Sequence, residues 1–205
     1  MLHYTQQSTD NAVFNYKFIR HLIKLTSLIL CLVSTILIIG GYHVGAFSSI
    51  ETLQSVVSQT GSISIYLFII LQVIQVIVPI IPNPIICLVG VILFGPVQGF
   101  FYNYMGVCFG SLIAFALAKK YGQNVLAVLF KQSLRDKYKK MTTSKLFNQL
   151  YTLAIIFPGL PDDFLCYLAG TTSMTYKKFI TINLIGRIFT LAAYSLFFDY
   201  MYQSI

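Results

Sequence analysis

From Thr52 to Ala118 the chain runs for 67 residues without an Asp, Glu, Lys or Arg. A water-facing helix or sheet does not tolerate such a run. A helical bilayer crossing asks only for about 20 consecutive apolar residues, so the segment holds about two or three membrane passes. The rest of the chain agrees: of 205 residues 57% are hydrophobic and 10% charged, and mean hydropathy is +0.76. The expected fold class is an all-α polytopic membrane protein, with residues 1–24 as a cytoplasmic tail and 25–205 as a single membrane domain.

The net charge of +8 is unevenly spread. Eight of the fourteen Lys and Arg lie between Lys119 and Lys145, opposed only by Asp136, and Lys17, Arg20 and Lys24 precede the first apolar run. Cytoplasmic flanks look like this under the positive-inside rule. No zinc spacing or basic–aromatic interleaving accompanies the charge, so nucleic acid is not an expected partner. The basic loop instead marks topology and touches anionic headgroups. Cys31, Cys87, Cys108 and Cys166 lack a CxxC pair, and His3, His21 and His43 are scattered. Neither a metal site nor a disulfide framework is expected. No nucleophile elbow, phosphate loop or metalloprotease helix occurs, so the chain does not read as an enzyme and calls for no cofactor.

Charge and proline divide the membrane domain. Residues 25–47 form an uncleaved first helix running from inside to outside, and the loop 48–61, with Glu51 and no basic residue, is external. Residues 62–118 hold a hairpin broken at Pro79, Pro82 and Pro84, then a helix after Gly95-Pro96 that ends at Lys119-Lys120. Asn83 suits the N-cap of the restarted helix, with Pro84 at its first position. Residues 119–150 form a basic cytoplasmic loop, within which 122–141 reads as an interfacial amphipathic helix. Residues 151–199 repeat the pattern, with a break at Pro158, Gly159 and Pro161 and a last span carrying Gly186-Arg187.

The two breaks match each other. At an offset of 79 residues Pro79 falls on Pro158, Pro82 on Pro161, Asn83 on Asp162 and Cys87 on Cys166. At an offset of 80, Gly90 falls on Gly170 and Gly106 on Gly186. Flanking charge makes the first hairpin enter from outside and the second from inside. The expectation is an inverted repeat of two Pro-broken re-entrant hairpins, each followed by a transmembrane helix.

The ionisable residues at the second break are the candidate substrate or coupling residues. Asp162 and Asp163 follow Pro161, where a carboxylate can cap a helix N-terminus. Asp162 aligns with Asn83 and suits capping; Asp163 has no such counterpart and suits a proton-carrying or pairing role. Arg187 lies near the middle of the last span, where an isolated arginine is costly. It either pairs with Asp163 or contacts a phosphate, since guanidinium fits both bidentately. Gly90, Gly95, Gly99, Gly106, Gly110, Gly170 and Gly186 are expected at close helix packing.

Gly90-Val-Ile-Leu-Phe-Gly95, Gly99, Gly106, Gly110, Phe115 and Gly122 resemble the first half of the DedA superfamily, the VTT-domain or SNARE-associated Golgi protein group. Phe157-Pro-Gly-Leu-Pro-Asp-Asp, Tyr167-Leu-Ala-Gly170, Phe179 and Gly186-Arg187 resemble its second signature, so that the likeness covers roughly Tyr66 to Phe198. The resemblance implies a core of two opposed re-entrant hairpins and a role in moving lipids across bilayers, and the expected location is the cell (cytoplasmic) membrane, with several passes. Phospholipid scrambling is the role in eukaryotic relatives and polyprenyl-phosphate recycling in bacterial ones. Many relatives carry an arginine before the second proline pair, where this chain has Ile155. Some bacterial members carry carboxylates in the first hairpin, where this chain has Gln72, Gln75 and Asn83.

The expected function is thus a lipid transporter or scramblase acting on membrane lipids, a phospholipid or a lipid phosphate. A proton or cation gradient, or equilibration alone, would supply direction, and a homo-oligomer is compatible with the pattern. The rival readings are a membrane scaffold without transport and an ion-coupled small-solute transporter. Topology is open to direct measurement. Single cysteines replacing Ser55 and Ser133 in a cysteine-free background should react from opposite sides of the membrane. Labelling of both by an impermeant reagent on intact cells would contradict the assignment.

Overall fold

A computed structural model of the chain describes residues 21, 25, 50–79, 81–142 and 146–203. The expected first helix over 25–47 lies outside the described residues apart from Leu25, which is helical and exposed. Among the described residues the regular structure is helical throughout. In chain order the helices are α1 (Ile50–Gln59), α2 (Ser62–Ile77), α3 (Asn83–Tyr121), α4 (Gln123–Leu129), α5 (Gln132–Thr142), α6 (Phe147–Ile156), α7 (Asp162–Gly170) and α8 (Tyr176–Gln203). The stretch read as an external loop contains α1. Apolar residues at helical spacing and Glu51 in the first turn favour a helix there despite the Ser and Gln content. The Gln54 amide ties it to the fold by donating to the Ile92 carbonyl at 2.6 Å.

Helix α3 is 39 residues long but is not one rod. Gly95 sits at φ 79, ψ 169, a backbone shape that glycine adopts without strain, and Pro96 follows with no N–H to give. The chain folds back there, so that residues 83–94 lie along the continuation 96–121. Asn103 Nδ2 donates to the Cys87 carbonyl at 3.1 Å across this fold. A Cβ on Gly99 would stand 2.5 Å from the Gly90 carbonyl oxygen. Helix α2 packs parallel to the continuation, with Gln72 over Gly106 and Val76 over Gly110. The hairpin of α2 and residues 83–94 turns at 78–82, level with the middle of the continuation of α3.

The second half of the chain is built the same way. Helix α6 ends at Ile156, the chain turns through 157–161, and α7 returns. Helix α8 runs parallel to α6: Asn183 Nδ2 donates to the Tyr151 hydroxyl at 2.7 Å, Thr190 to the Ile156 carbonyl at 2.9 Å, and the Gly159 N–H to the Tyr194 hydroxyl at 3.2 Å. The two long helices cross antiparallel. Ser195 Oγ donates to the Pro96 carbonyl at 2.6 Å near one end, and Phe115 stacks on Phe179 at 4.0 Å near the other. Lys119 Nζ closes the latter end by donating to the carbonyls of Thr172 and Met174, both at 2.8 Å. The hairpins thus approach from opposite ends, and their turns meet between α3 and α8.

The segment 122–141 departs from the single interfacial helix expected of it. Gly122, at φ 60, turns the chain back, and α4 buries Val125 and Leu126 in the core. A break at Phe130-Lys131 separates α4 from α5. Of the apolar residues seen in the sequence, Val125 and Leu126 of α4 enter the core, and Phe130, just after α4, packs on α7. Phe130 meets Phe164 edge-on at 4.9 Å, and Tyr138 of α5 lies 5.5 Å from the same ring.

The core gathers around Phe115, Tyr151, Phe164, Tyr167 and Phe179, all buried. The outside is apolar too: Phe101, Phe109 and Ile113 on α3 and Ile185, Ile188, Phe189 and Leu196 on α8 are exposed. Asn83–Tyr121 and Tyr176–Met201 are long and apolar enough to cross a membrane. The part of α3 beyond Gly95 alone reaches about 39 Å at 1.5 Å per residue, more than a bilayer core of about 30 Å.

Close packing makes one residue diagnostic. A Cβ on Gly170 would stand 2.5 Å from the Phe115 carbonyl oxygen and 2.6 Å from Ala118 Cβ. Gly170→Ala should therefore cost about 1–3 kcal/mol through overpacking. Val97→Ala, at an exposed position of α3, should stay within about 0.5 kcal/mol. Thermal unfolding of the two purified variants compares them, and equal midpoints would refute the packing argument.

Candidate functional site

Arg187 stands on α8 with no exposed surface, in a bundle with few charges to offer it. A guanidinium in such surroundings needs each N–H engaged. Nη1 forms an ion pair with the Asp162 carboxylate. Nε donates to Asn183 Oδ1 at 3.4 Å, one helical turn back on α8. Nη2 donates to Ser111 Oγ on α3 at 3.1 Å and lies 3.5 Å from Cys166 Sγ on α7. Three helices therefore converge on one side chain.

The ion pair extends in both directions. Asp162 Oδ2 also accepts from Asn83 Nδ2 at 3.2 Å, and Asn83 Oδ1 accepts from Gln72 Nε2 at 3.3 Å. On the other side the Asn183 amide donates to the Tyr151 hydroxyl. The sequence Gln72, Asn83, Asp162, Arg187, Asn183, Tyr151 is a continuous polar chain joining the two hairpins. Tyr167 adds a further tie by donating to the Ile77 carbonyl at 2.6 Å.

Two details differ from the sequence reading. Arg187 was expected to pair with Asp163, and the partner is Asp162. Asp162 is the first residue of α7, beside the turn that meets Asn83; Asp163 is rotated about 100° around the helix and faces elsewhere. Asn83 and Asp162 were also expected to cap their helices. The caps are Pro82 and Pro161 instead, without a side-chain cap bond, which leaves both side chains to meet each other. The residues superposed by the offset of 79 are thus in direct contact. Asp163 is 7% exposed, and its Oδ1 has no hydrogen-bond partner.

Between the turns lies a cavity of about 430 Å³. Pro79, Pro82, Pro84, Gly159, Pro161, Asp162 and Asp163 line it, as do Asn83, Tyr194 and, from the α4–α5 region, Phe130 and Leu134. Pro158 and Arg187 do not. Of the expected packing glycines, Gly90 faces Gly99, Gly106 faces Gln72, Gly110 faces Val76, Gly170 faces Phe115 and Gly186 faces Ile155, while Gly95 makes the turn within α3. Ser111, Tyr151, Asn183, Thr190 and Tyr194 escaped the sequence reading. Ser111, Asn183 and Thr190 each interrupt an apolar helical run, the same signal that had marked Gln72 and Gln75.

The family model of the VTT domain matches residues 78–200, a stretch that contains both turns, the cavity and the ion pair. No curated protein and no solved structure matches the chain.

Pairing with Asp162 rather than Asp163 is testable by a double-mutant cycle on thermal stability. Asp162→Asn alone leaves Arg187 buried without a counter-charge and should cost about 3–5 kcal/mol. Adding Arg187→Gln should cost less than the two single losses summed. The same cycle with Asp163→Asn should show the smaller coupling. Equal coupling, or a larger one for Asp163, would assign the pair to the wrong carboxylate.

Proposed function

Because the chain belongs to the VTT-domain family, the DedA or SNARE-associated Golgi group, we propose that it moves a lipid across the cell membrane through the centre where its two broken hairpins meet. The family is membrane-associated and generally linked to transport or homeostasis. The observation that carries the reading is the polar chain from Gln72 to Tyr151, with its cavity of about 430 Å³, inside a bundle whose outer surface is apolar.

In this reading the hairpins are re-entrant and the two halves form an inverted repeat spanning the membrane several times. The antiparallel crossing of α3 and α8 and the contact of Asn83 with Asp162 support it. A lipid has one polar end that must pass the hydrocarbon layer, while its chains can stay in it. A site at the meeting of two half-way hairpins shortens that passage, and rocking one half against the other exposes it to either side. The cavity is of the size that holds a small ligand or headgroup. The cargo is a phospholipid or a lipid phosphate. Direction comes from a proton or cation gradient, or transfer runs to equilibrium.

Purified protein in liposomes with labelled phospholipids and polyprenyl phosphate tests this. Lipid should cross between leaflets without a partner protein, and Arg187→Gln should slow it about tenfold or more, as one lost charged contact does. Transfer of water-soluble solutes alone would favour the solute-transporter reading, and transfer of nothing would favour a scaffold.

A further inference from the structure

The cavity between the turns has a definite electrical character. Among the described residues no Lys, Arg or His lines it. The Arg187 guanidinium is fully buried behind Asp162, with Nε, Nη1 and Nη2 all engaged. The Asn83 amide donates one N–H to Asp162, and the Tyr194 hydroxyl accepts from Gly159. Beside them stands a carboxyl, Asp163, more than nine-tenths buried, bordering the cavity, with an oxygen that no donor satisfies. A phosphate entering here would meet two carboxylates, and no cation among the described lining residues. A positively charged group would supply the missing donor. The rings of Phe130, Phe164 and Tyr194, also on the wall, favour such a group further, since aromatic faces attract cations.

We propose that this cavity is an ammonium site: it takes the cationic end of a zwitterionic phospholipid headgroup, with Asp163 as its counter-ion. The lipid as source of the ammonium rests on the lipid-moving function above; the preference for a cation rests on the cavity wall alone. Two cationic residues, Lys131 and Arg135, directly follow the lining residues Phe130 and Leu134 in the chain. They put positive charge near the rim, where the phosphate of such a headgroup would lie. The site therefore selects phosphatidylethanolamine over phosphatidylglycerol, which has a phosphate and no ammonium.

Two measurements separate this proposal from the function it builds on. In the first, liposomes hold acyl-labelled phosphatidylethanolamine or phosphatidylglycerol, and the ratio of their transfer rates is read. The wild type should favour phosphatidylethanolamine by about tenfold, the equivalent of one charge-assisted contact. Asp163→Asn should bring the ratio toward one, and Asp163→Glu should restore most of it. In the second, native mass spectrometry compares how much of each lipid stays on the protein, which needs no transport. Retention should follow the same order, and free ethanolamine in tenfold excess should not displace the lipid. If neither lipid moves but retention keeps its Asp163-dependent preference, the transport function falls and the ammonium site stands. Equal retention of both lipids by the wild type, or a preference that survives Asp163→Asn, overturns the site. Displacement by free ethanolamine would assign it to a soluble cation and overturn the lipid assignment.

Discussion

The structure depends on a single buried charge. Arg187 cannot leave its place near the middle of α8, and in apolar surroundings it is tolerable only when compensated. Compensation requires a carboxylate at that depth, so a chain must turn there. The turn at 157–161 provides this by starting α7 with Asp162 level with the guanidinium. The remaining N–H groups ask for Ser111 and Asn183, which fixes α3 against α8. Asp162 Oδ2 accepts from Asn83 as well, which brings in the other turn. Position after position in both hairpins follows from keeping one cation satisfied.

Small residues allow the geometry that the charge requires. The hairpins could not reach the ion pair unless helices approached closely, and Gly99, Gly106, Gly110, Gly170 and Gly186 each lie where a Cβ would collide with a neighbour. In lipid, where apolar side chains gain little by leaving the solvent, such close contact is a main source of helix association. Polar network and glycine contacts therefore act together: one specifies which helices meet, the other lets them.

Much of this was legible in the sequence. The uncharged run from Thr52 and the basic stretch from Lys119 define the helical class and the grouping of charges at one end. The prolines locate both turns within a residue or two, because a missing N–H acts locally. The offset of 79 residues superposes four pairs, and one of them, Asn83 and Asp162, is in direct contact in the structure. The side chains were harder. Whether Asp162 or Asp163 meets Arg187 depends on a rotation of one residue about a helix axis, which composition does not encode. Capping was expected of Asn83 and Asp162 from local preference, and the tertiary contact between them overrode it. Helix α1 and the break that splits α4 from α5 stayed hidden for a related reason: each of these helices is short, and its apolar face is defined by what it packs on.

The prolines at the two turns have one more consequence. Three of the seven positions from Val78 to Pro84 and two of the five from Phe157 to Pro161 carry no backbone N–H. A turn made of ordinary residues would leave those donors to be satisfied in every arrangement the turns adopt, and each one stranded in an apolar setting is expensive. Donors that do not exist cannot be stranded. Fewer main-chain donors therefore have to find partners where the two turns meet at the centre of the bundle.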